Sequence, residues 1–405
     1  MRILRSTDPA AAAFFARDPS RDPDVERRVR AIVDDVRARG DAAVARWMAE
    51  LDGVEPPFRI PDEAIDAGWR ETPAPVRRAI RAAVRSVRMV ARAQVPRAFT
   101  VTPVPGVRIR QRIDPLDRVA CYVPGGRFPL PSTVIMTVVP AVAAGVRDVV
   151  VLCPRPAPVV LAAAREAGAT EVLRLGGAQA IAAAAYGTES IRRVQKIVGP
   201  GSAWVTAAKT LVAADCAIDF RAGPSEIVVW STTGSPDWIA ADLLAQAEHD
   251  PDARALLVTT SGRLARRVAA RVIGAAPGGR HNVTAVVARS RREAAAIVSR
   301  IAPEHLVVDR AADARGCAAG TVCVGRWTAQ AAGDYCTGSN HVLPTGGDAR
   351  VRGGLGAGDF VRASTVQTVS RRGLRAIGPS IVALARAEGL EAHAQSVCVR
   401  LEGNP

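Results

Sequence analysis

Between residues 117 and 209 the chain repeats one unit, an apolar run followed by a glycine turn and a helical stretch, and this repetition restricts the fold more than any other feature. Residues 119–123 (VACYV) have strand character and end in Pro124-Gly125-Gly126, after which Ser132 is placed to cap a helix. Residues 149–153 (VVVLC) form a continuous apolar run, the pattern of a strand buried on both faces of a parallel sheet. A helix reaching Ala167 stops at Gly168; strand 171–175 and the turn Gly176-Gly177 lead into a helix from Ala178. Strand 194–198, the turn Gly199-Pro200-Gly201 and a helix through Lys209 complete the series. Such alternation predicts an α/β domain with right-handed crossovers and ligands at the carboxyl ends of its strands.

The glycine turns allow two readings. Backbone amides at a helix start can approach a phosphate, or the turns are simply tight; no GxGxxG stands at the proper place to decide. Before this region the chain is helical. Val25, Val29, Ile32, Val33 and Val36 mark one helix stopped by Gly40, Asp41 is placed to cap a second carrying Val44, Trp47, Met48 and Leu51, and a third spans 75–95. Residues 101–113 alternate, with Val107, Ile109, Gln111 and Ile113 on one face, and Pro105-Gly106 implies a hairpin. After residue 230, strand-like 255–259 and 283–287 flank helix-like 264–272, so a second α/β unit is expected. A Gly-rich loop region (333–358), a helix near 381–388 and a strand-like 397–399 end the chain.

A chain of 405 residues predicts two or three domains. No apolar run reaches the roughly 20 uncharged residues of a membrane helix, and the short patch 10–16 has no adequate h-region, so a cytoplasmic protein is expected. The net charge of +15 suggests nucleic acid, but Lys196 and Lys209 are the only lysines, and the arginines are spread among Ala, Gly and Pro. The densest basic face, Arg77, Arg78, Arg81, Arg85, Arg88 and Arg92, has no interleaved aromatics, which argues against a nucleic-acid partner. The seven cysteines include no CxxC pair; they are expected to be reduced, buried and inert, and not to bind zinc.

Polar residues collect at a few places. Ser235 and Pro236 open an amphipathic helix with Ile239, Leu243 and Leu244, and Gln246 and His249 stand three apart near its end, on one face. This is either a solvated helix end or part of a site. Of five histidines, His281 sits in an ordinary loop, whereas His249, His305 (beside Glu304), His341 (seven after Asp334) and His393 lie near carboxylates. Gln246, His249, Asp334 and His393 offer oxygen and imidazole donors suited to zinc or another borderline divalent ion. Glu304-His305 could supply a base and a carboxylate that activates water; an adventitious pair at a strand start fits the spacing equally.

Taken together, VERRVRAIVDDVRARGDAAV, YVPGG, GGAQAIA, KIVGPGS, AGPSEI, LLAQAEHD, APEHL, GDYCTGSNHVLPTGG and EGLEAH resemble the histidinol dehydrogenase family, in its order and over nearly the whole chain. The resemblance implies zinc-dependent oxidation of L-histidinol to L-histidine through the aldehyde, with two NAD in succession. It implies Gln246, His249, Asp334 and His393 as ligands of one zinc per subunit, these four with Ser225, His305, His341 and Glu388 around the substrate, and Tyr122, Gln179 and Ser202 around NAD. His305 becomes the base and Glu304 the activator of water. The expected partner is a second copy, in a homodimer whose C-terminal segments bring Glu388 and His393 to each other's sites, with no nucleic acid and no membrane. The expected α/β architecture is two incomplete Rossmann-like domains plus small helical N-terminal and C-terminal segments. Residues 1–118 with 230–356 form a discontinuous domain carrying metal ligands and the Glu-His pair, 119–229 the NAD-contacting domain, and 357–405 a C-terminal segment that crosses to the partner. Three departures stand out: Ser202 where the family usually has Asn, Ile301 where it commonly has an aromatic residue, and a short stretch between His249 and Glu304. A paralogue acting on another small polar alcohol, and a zinc hydrolase using Glu304 without redox chemistry, are the competing expectations.

Overall fold

The structure is a computed structural model that describes residues 1–15, 22–126, 128–221, 223–248, 250–275 and 282–403, the side chains of 13 and 14 excepted. Contacts divide the chain into two units, Met1–Gln94 with Asp117–Phe360, and Val95–Leu116 with Val361–Pro405.

The first unit opens with β1 (Arg2–Arg5), α1 (Pro9–Phe15), α2 (Pro23–Asp52), α3 (Asp62–Glu71) and α4 (Ala74–Gln94). Asp22 caps α2 by accepting the amides of Asp24 and Val25. The first half buries Val29, Ile32, Val33 and Val36, non-helical Gly40 (φ 51°, ψ −130°) interrupts it, and a second helical segment follows with Val44 and Met48 buried, so the helix stops at Gly40 as expected. Asp41 does not cap the second half. Its carboxylate accepts the hydroxyls of Thr188 and Ser190 instead.

The hairpin strands β2 (Phe99–Val104) and β3 (Val107–Pro115) follow, and then the repeating region: β4 (Arg118–Tyr122), α5 (Pro131–Ala144), β5 (Asp148–Leu152), α6 (Pro158–Ala167), β6 (Glu171–Leu173), α7 (Gly177–Tyr186), β7 (Lys196–Val198), α8 (Ala203–Val212) and β8 (Ala217–Ile218). The five strands form an all-parallel sheet in the order β6-β5-β4-β7-β8, a doubly wound half with its switch point between β4 and β7. Helix α5 begins at Pro131 after Leu130, so Ser132 lies inside the first turn and is not the cap. Helix α2 packs on α7 and α8, α3 on α6, and α4 on α5; the apolar stripe of α2 shares a core with Ala120, Val150, Leu152, Ile181 and Ile197. The N-terminal helices thus cover this sheet, although they were expected in the other α/β domain.

The second sheet comes from β9 (Glu226–Trp230), α9 (Pro236–Ala247), β10 (Arg254–Thr259), α10 (Gly262–Ala275), β11 (Val283–Val287), α11 (Arg291–Ile301), β12 (His305–Val308) and β13 (Thr321–Val324). Its six parallel strands run β1-β11-β10-β9-β12-β13, the same winding extended by the N-terminal strand. The expected boundary between 229 and 230 cuts through β9, which pairs in this sheet over its whole length. Ser235 holds the N-cap position of α9, but its side chain makes no capping bond. The short α12 (Gln330–Gly333) precedes the Gly-rich loop, in which two 3-10 turns lie.

In the second unit β14 (Val361–Val369) pairs antiparallel with β3 over nine residues, giving the sheet β14-β3-β2. The hairpin expected within 1–118 therefore joins the C-terminal strand. Helices α13 (Arg371–Ala387) and α14 (Glu391–Glu402) pack on one another. The strand-like 397–399 is part of α14, because Val397 and Leu401, one helical turn apart, close over Gly378 of α13.

No described helix is long and apolar enough to cross a membrane. All seven cysteines are free; four are buried, Cys317 and Cys398 are half-buried, and Cys336 is exposed, against the expectation of burial. Burial pushes the thiols of Cys153, Cys216 and Cys323 up to about 11 and that of Cys121 to about 12, which leaves these four inert.

Candidate functional site

Strands β9 and β12 are parallel neighbours with His305 opposite Ile227, so Ser225, Glu226, Glu304 and His305 meet at their amino ends. Pro303 and the left-handed Ala302 (φ 48°) end α11 and turn the chain into β12. Helix α9 follows β9 and returns beside the sheet, which carries Gln246 back to the same edge. The expectation of ligand groups at strand carboxyl ends, framed on the first α/β domain, does not extend to this sheet.

These residues form two hydrogen-bonded groups that meet at the Glu304–His305 pair. Gln246 Nε2 donates to Ser225 Oγ at 2.5 Å, and Ser225 Oγ donates to Glu304 Oε2 at 2.7 Å. Glu304 Oε2 also accepts the Glu226 amide at 2.8 Å, while Oε1 lies 3.8 Å from His305 Nε2. From His305 Nε2 the chain passes to Gln330 Nε2 at 3.4 Å, and this amide nitrogen donates to Asp334 Oδ2 at 2.8 Å. His341 Nδ1 lies 3.1 Å from the Asp334 carbonyl oxygen. The loop carrying Asp334 and His341 is anchored where Asn340 Nδ2 donates to the Met136 carbonyl and Gly346 N–H donates to Glu226 Oε1.

Burial sets the electrostatics. Loss of solvent raises the Glu304 carboxyl to about 8 despite the two bonds it accepts, with the nearby Glu226 and Asp334 charges adding to the effect. Because both donors occupy Oε2, Oε1, the oxygen facing His305, is the one left free to carry a proton. Burial also raises Glu226, opposed by the Gly346 amide, and takes Asp242 to about 6. Gln246 is fully buried, and its Oε1 has no protein partner among the described residues. Since the amide nitrogen is committed to Ser225, that oxygen is available to a cation or a ligand donor.

Not every expected site residue enters this chain. His249 lies outside the described residues, as does His281. His393, exposed in the first turn of α14, and Glu388, the exposed C-cap of α13, belong to the second unit. Among the described residues no three His, Cys, Asp or Glu side chains gather around one point as a metal would require. Tyr122, Gln179 and Ser202 lie at the other sheet, where the carboxyl ends of β4, β6 and β7 lead into glycine turns. Tyr122 Oη accepts the Gly177 amide at 3.2 Å, and Gln179 Nε2 donates to Asp52 Oδ2 at 2.8 Å while its buried Oε1 has no partner among the described residues. Gly199 (φ 114°) abuts the Tyr122 carbonyl so closely that a side chain has no room. Below this turn the buried Lys209 pairs with Asp219; Lys209 Nζ donates to the Gly199 carbonyl at 2.9 Å and Asp219 Oδ2 accepts the Gly199 amide at 2.8 Å. Ser202 is the N-cap of α8, yet its hydroxyl makes no capping bond.

Sequence reasoning missed Glu226, Asp242 and Gln330. A signal existed for two of them: Asp242 and Gln330 stand four residues before Gln246 and Asp334, the spacing that stacks side chains on one helix face.

The family model for histidinol dehydrogenase matches residues 15–401 of the chain. The chain belongs to the histidinol dehydrogenase family. It is 43% identical to the histidinol dehydrogenase of Rhizobium meliloti, with 96% of this chain and 95% of that protein aligned. With the histidinol dehydrogenase of Rhodospirillum rubrum it is likewise 43% identical, over 97% of this chain and 96% of the relative. The crystal structure of histidinol dehydrogenase from Elizabethkingia anophelis superposes with a TM-score of 0.93 at 30% identity, covering 99% of this chain and 98% of the other. Histidinol dehydrogenases are NAD-dependent oxidoreductases that catalyse the final step of histidine biosynthesis.

Proposed function

We propose that this protein oxidises L-histidinol to L-histidine through L-histidinaldehyde, consuming two NAD and using one zinc per subunit. The run Gln246–Ser225–Glu304–His305–Gln330–Asp334, hydrogen-bonded on either side of the Glu304–His305 pair, supports this most strongly, because it sets a carboxyl group and an imidazole beside a buried, uncommitted amide oxygen.

The residues present fit both groups. Gln246 Oε1 and the buried Asp334 carboxylate are oxygen donors, and with His249 and His393 they make a thiolate-free set suited to zinc with positions left for substrate. When bound, zinc supplies a template that orients the amino and imidazole nitrogens of the substrate. On the five-stranded sheet the unpartnered Gln179 Oε1 and the glycine turns beside Tyr122 and Ser202 fit a dinucleotide, which when bound accepts hydride from the carbinol carbon.

The chain's own residues handle protons and water. His305 Nε2 takes the hydroxyl proton as hydride departs, giving the aldehyde. Glu304, once ionised, takes a proton from the water that adds to the aldehyde carbonyl, and the resulting hydrate gives up a second hydride and a second proton to become the carboxylate. In total one alcohol, two NAD and one water give one carboxylate, two NADH and three protons. Ser225 and His341 line the substrate. Glu388 and His393 complete the partner subunit's site in a homodimer, and the reaction takes place in the cytoplasm.

Replacing each of the pair separates the two oxidations. Glu304→Gln should slow oxidation of supplied histidinaldehyde by roughly 100-fold or more while the first hydride transfer from histidinol persists, and His305→Gln should slow that first transfer comparably. Rapid-mixing measurements of NADH from each substrate decide. Equal losses on both substrates in both variants would contradict the division of roles.

A further inference from the structure

We infer that Gln330 is a positioning residue that locks His305 and Asp334 into one arrangement, so that the base and the metal-ligand set cannot move independently. The inference rests on the functional reading above and assigns a role to a side chain outside the expected site. Gln330 is buried, and its Nε2 stands 2.8 Å from Asp334 Oδ2 and 3.4 Å from His305 Nε2. Its backbone amide favours the ionised form of the Asp242 carboxylate on α9, four residues before Gln246. Helices α9 and α12 pack together, so the glutamine stands on an element that lies against the one bearing Gln246, and its tip reaches both His305 and Asp334.

The chemistry of the amide fixes its orientation. A carboxylate at 2.8 Å requires a donor, so the atom facing Asp334 is nitrogen and not oxygen. The same NH2 group faces His305 Nε2, and because it can only donate, that nitrogen must present its lone pair. The neutral imidazole is thereby held with Nε2 as acceptor and the hydrogen on Nδ1, and Nε2 can take a hydroxyl proton once bound substrate displaces the long 3.4 Å contact from its lone pair. The remaining Gln330 Oε1 is buried with no protein partner among the described residues, and as an acceptor it suits an N–H donor of a cationic amino alcohol.

Gln330→Met keeps the length and approximate shape of the side chain and removes every hydrogen bond at its tip. Zinc affinity, measured by competition with a chromogenic chelator, should fall roughly 10- to 100-fold, kcat for NADH formation should fall by a similar factor, and KM for NAD should stay unchanged. Mere loss of folded protein would lower the apparent kcat alone. Zinc affinity within about twofold of the unsubstituted protein, whatever happens to kcat, would overturn the inference. A second measurement needs no variant: the 15N chemical shifts of His305 in the full-length, metal-free protein at alkaline pH should show Nε2 unprotonated and Nδ1 protonated, and the opposite tautomer would overturn it too. Failure of the functional reading is distinguishable, because it would appear as absent NADH formation in the unsubstituted protein.

Discussion

Glu304 combines two costs that a purely structural carboxylate would avoid. It is buried, and its ionised form is disfavoured to the extent that its carboxyl titrates at about 8. A carboxyl raised from its ordinary 4.5 contributes most to folding when protonated, below 4.5, and that contribution is lost as pH rises through the folded value near 8. Glu304→Gln should therefore stabilise the metal-free protein at neutral pH, by roughly 1–3 kcal/mol, with the gain vanishing as pH falls toward 4.5. Denaturant unfolding of both proteins across pH checks this; a variant less stable at neutral pH than the parent would refute the burial argument. Ser202 is the other informative residue. Its hydroxyl caps nothing, so Ser202→Asn loses no helix bond and adds an amide at the turn proposed to bind the dinucleotide. One additional hydrogen bond of about 0.5–1.5 kcal/mol should lower KM for NAD by roughly 2- to 10-fold in steady-state kinetics, and an unchanged KM would remove Ser202 from the nucleotide site.

At the scale of elements, the glycine turn after β7 joins the two ends of the argument from sequence to site. Gly199 needs its positive φ, lies against the Tyr122 carbonyl, and is bonded on both sides by the buried Lys209–Asp219 pair. Gly199→Ala must displace this turn, and Ser202 and the start of α8 with it. The expected result is a KM for NAD raised at least about 10-fold with zinc affinity unchanged, since a backbone conformation incompatible with the new residue costs more than about 1 kcal/mol. Equal loss of zinc affinity would show that the turn acts on the whole fold. The same elements show what was legible. The βα repeat of 117–209 and strand 283–287 could be read because their apolar runs are continuous and their turns carry glycine. Strands β1, β13 and β14 could not be: β13 is only four residues long, and β1 and β14 owe their conformation to partners distant in the chain, β1 pairing with β11 and β14 with β3. Residues 397–399 have the β-branched composition of a strand, yet packing of Val397 and Leu401 over Gly378 makes them helical. Site residues were legible as types and motifs, but not the run from Gln246 to Asp334, which exists only once β9 and β12 lie side by side. Glu226 escaped notice because nothing in its local sequence separates it from an ordinary polar residue, whereas for Gln330 the only signal was its spacing of four from Asp334.

At the scale of the first unit, two parallel sheets of similar winding use opposite ends. The proposed dinucleotide groups lie at the carboxyl ends of the five-stranded sheet, and the Gln246–Asp334 run lies at the amino ends of the six-stranded sheet. The central claim is that both serve a single four-electron oxidation. Its most direct test follows NADH formed by the zinc-loaded protein from limiting L-histidinol and excess NAD, beside a chelator-treated control. The account predicts about two NADH per histidinol, lost on chelation and restored by zinc, as the two-step stoichiometry requires. One NADH per histidinol with free aldehyde released, or two NADH undiminished after complete zinc removal, would contradict it.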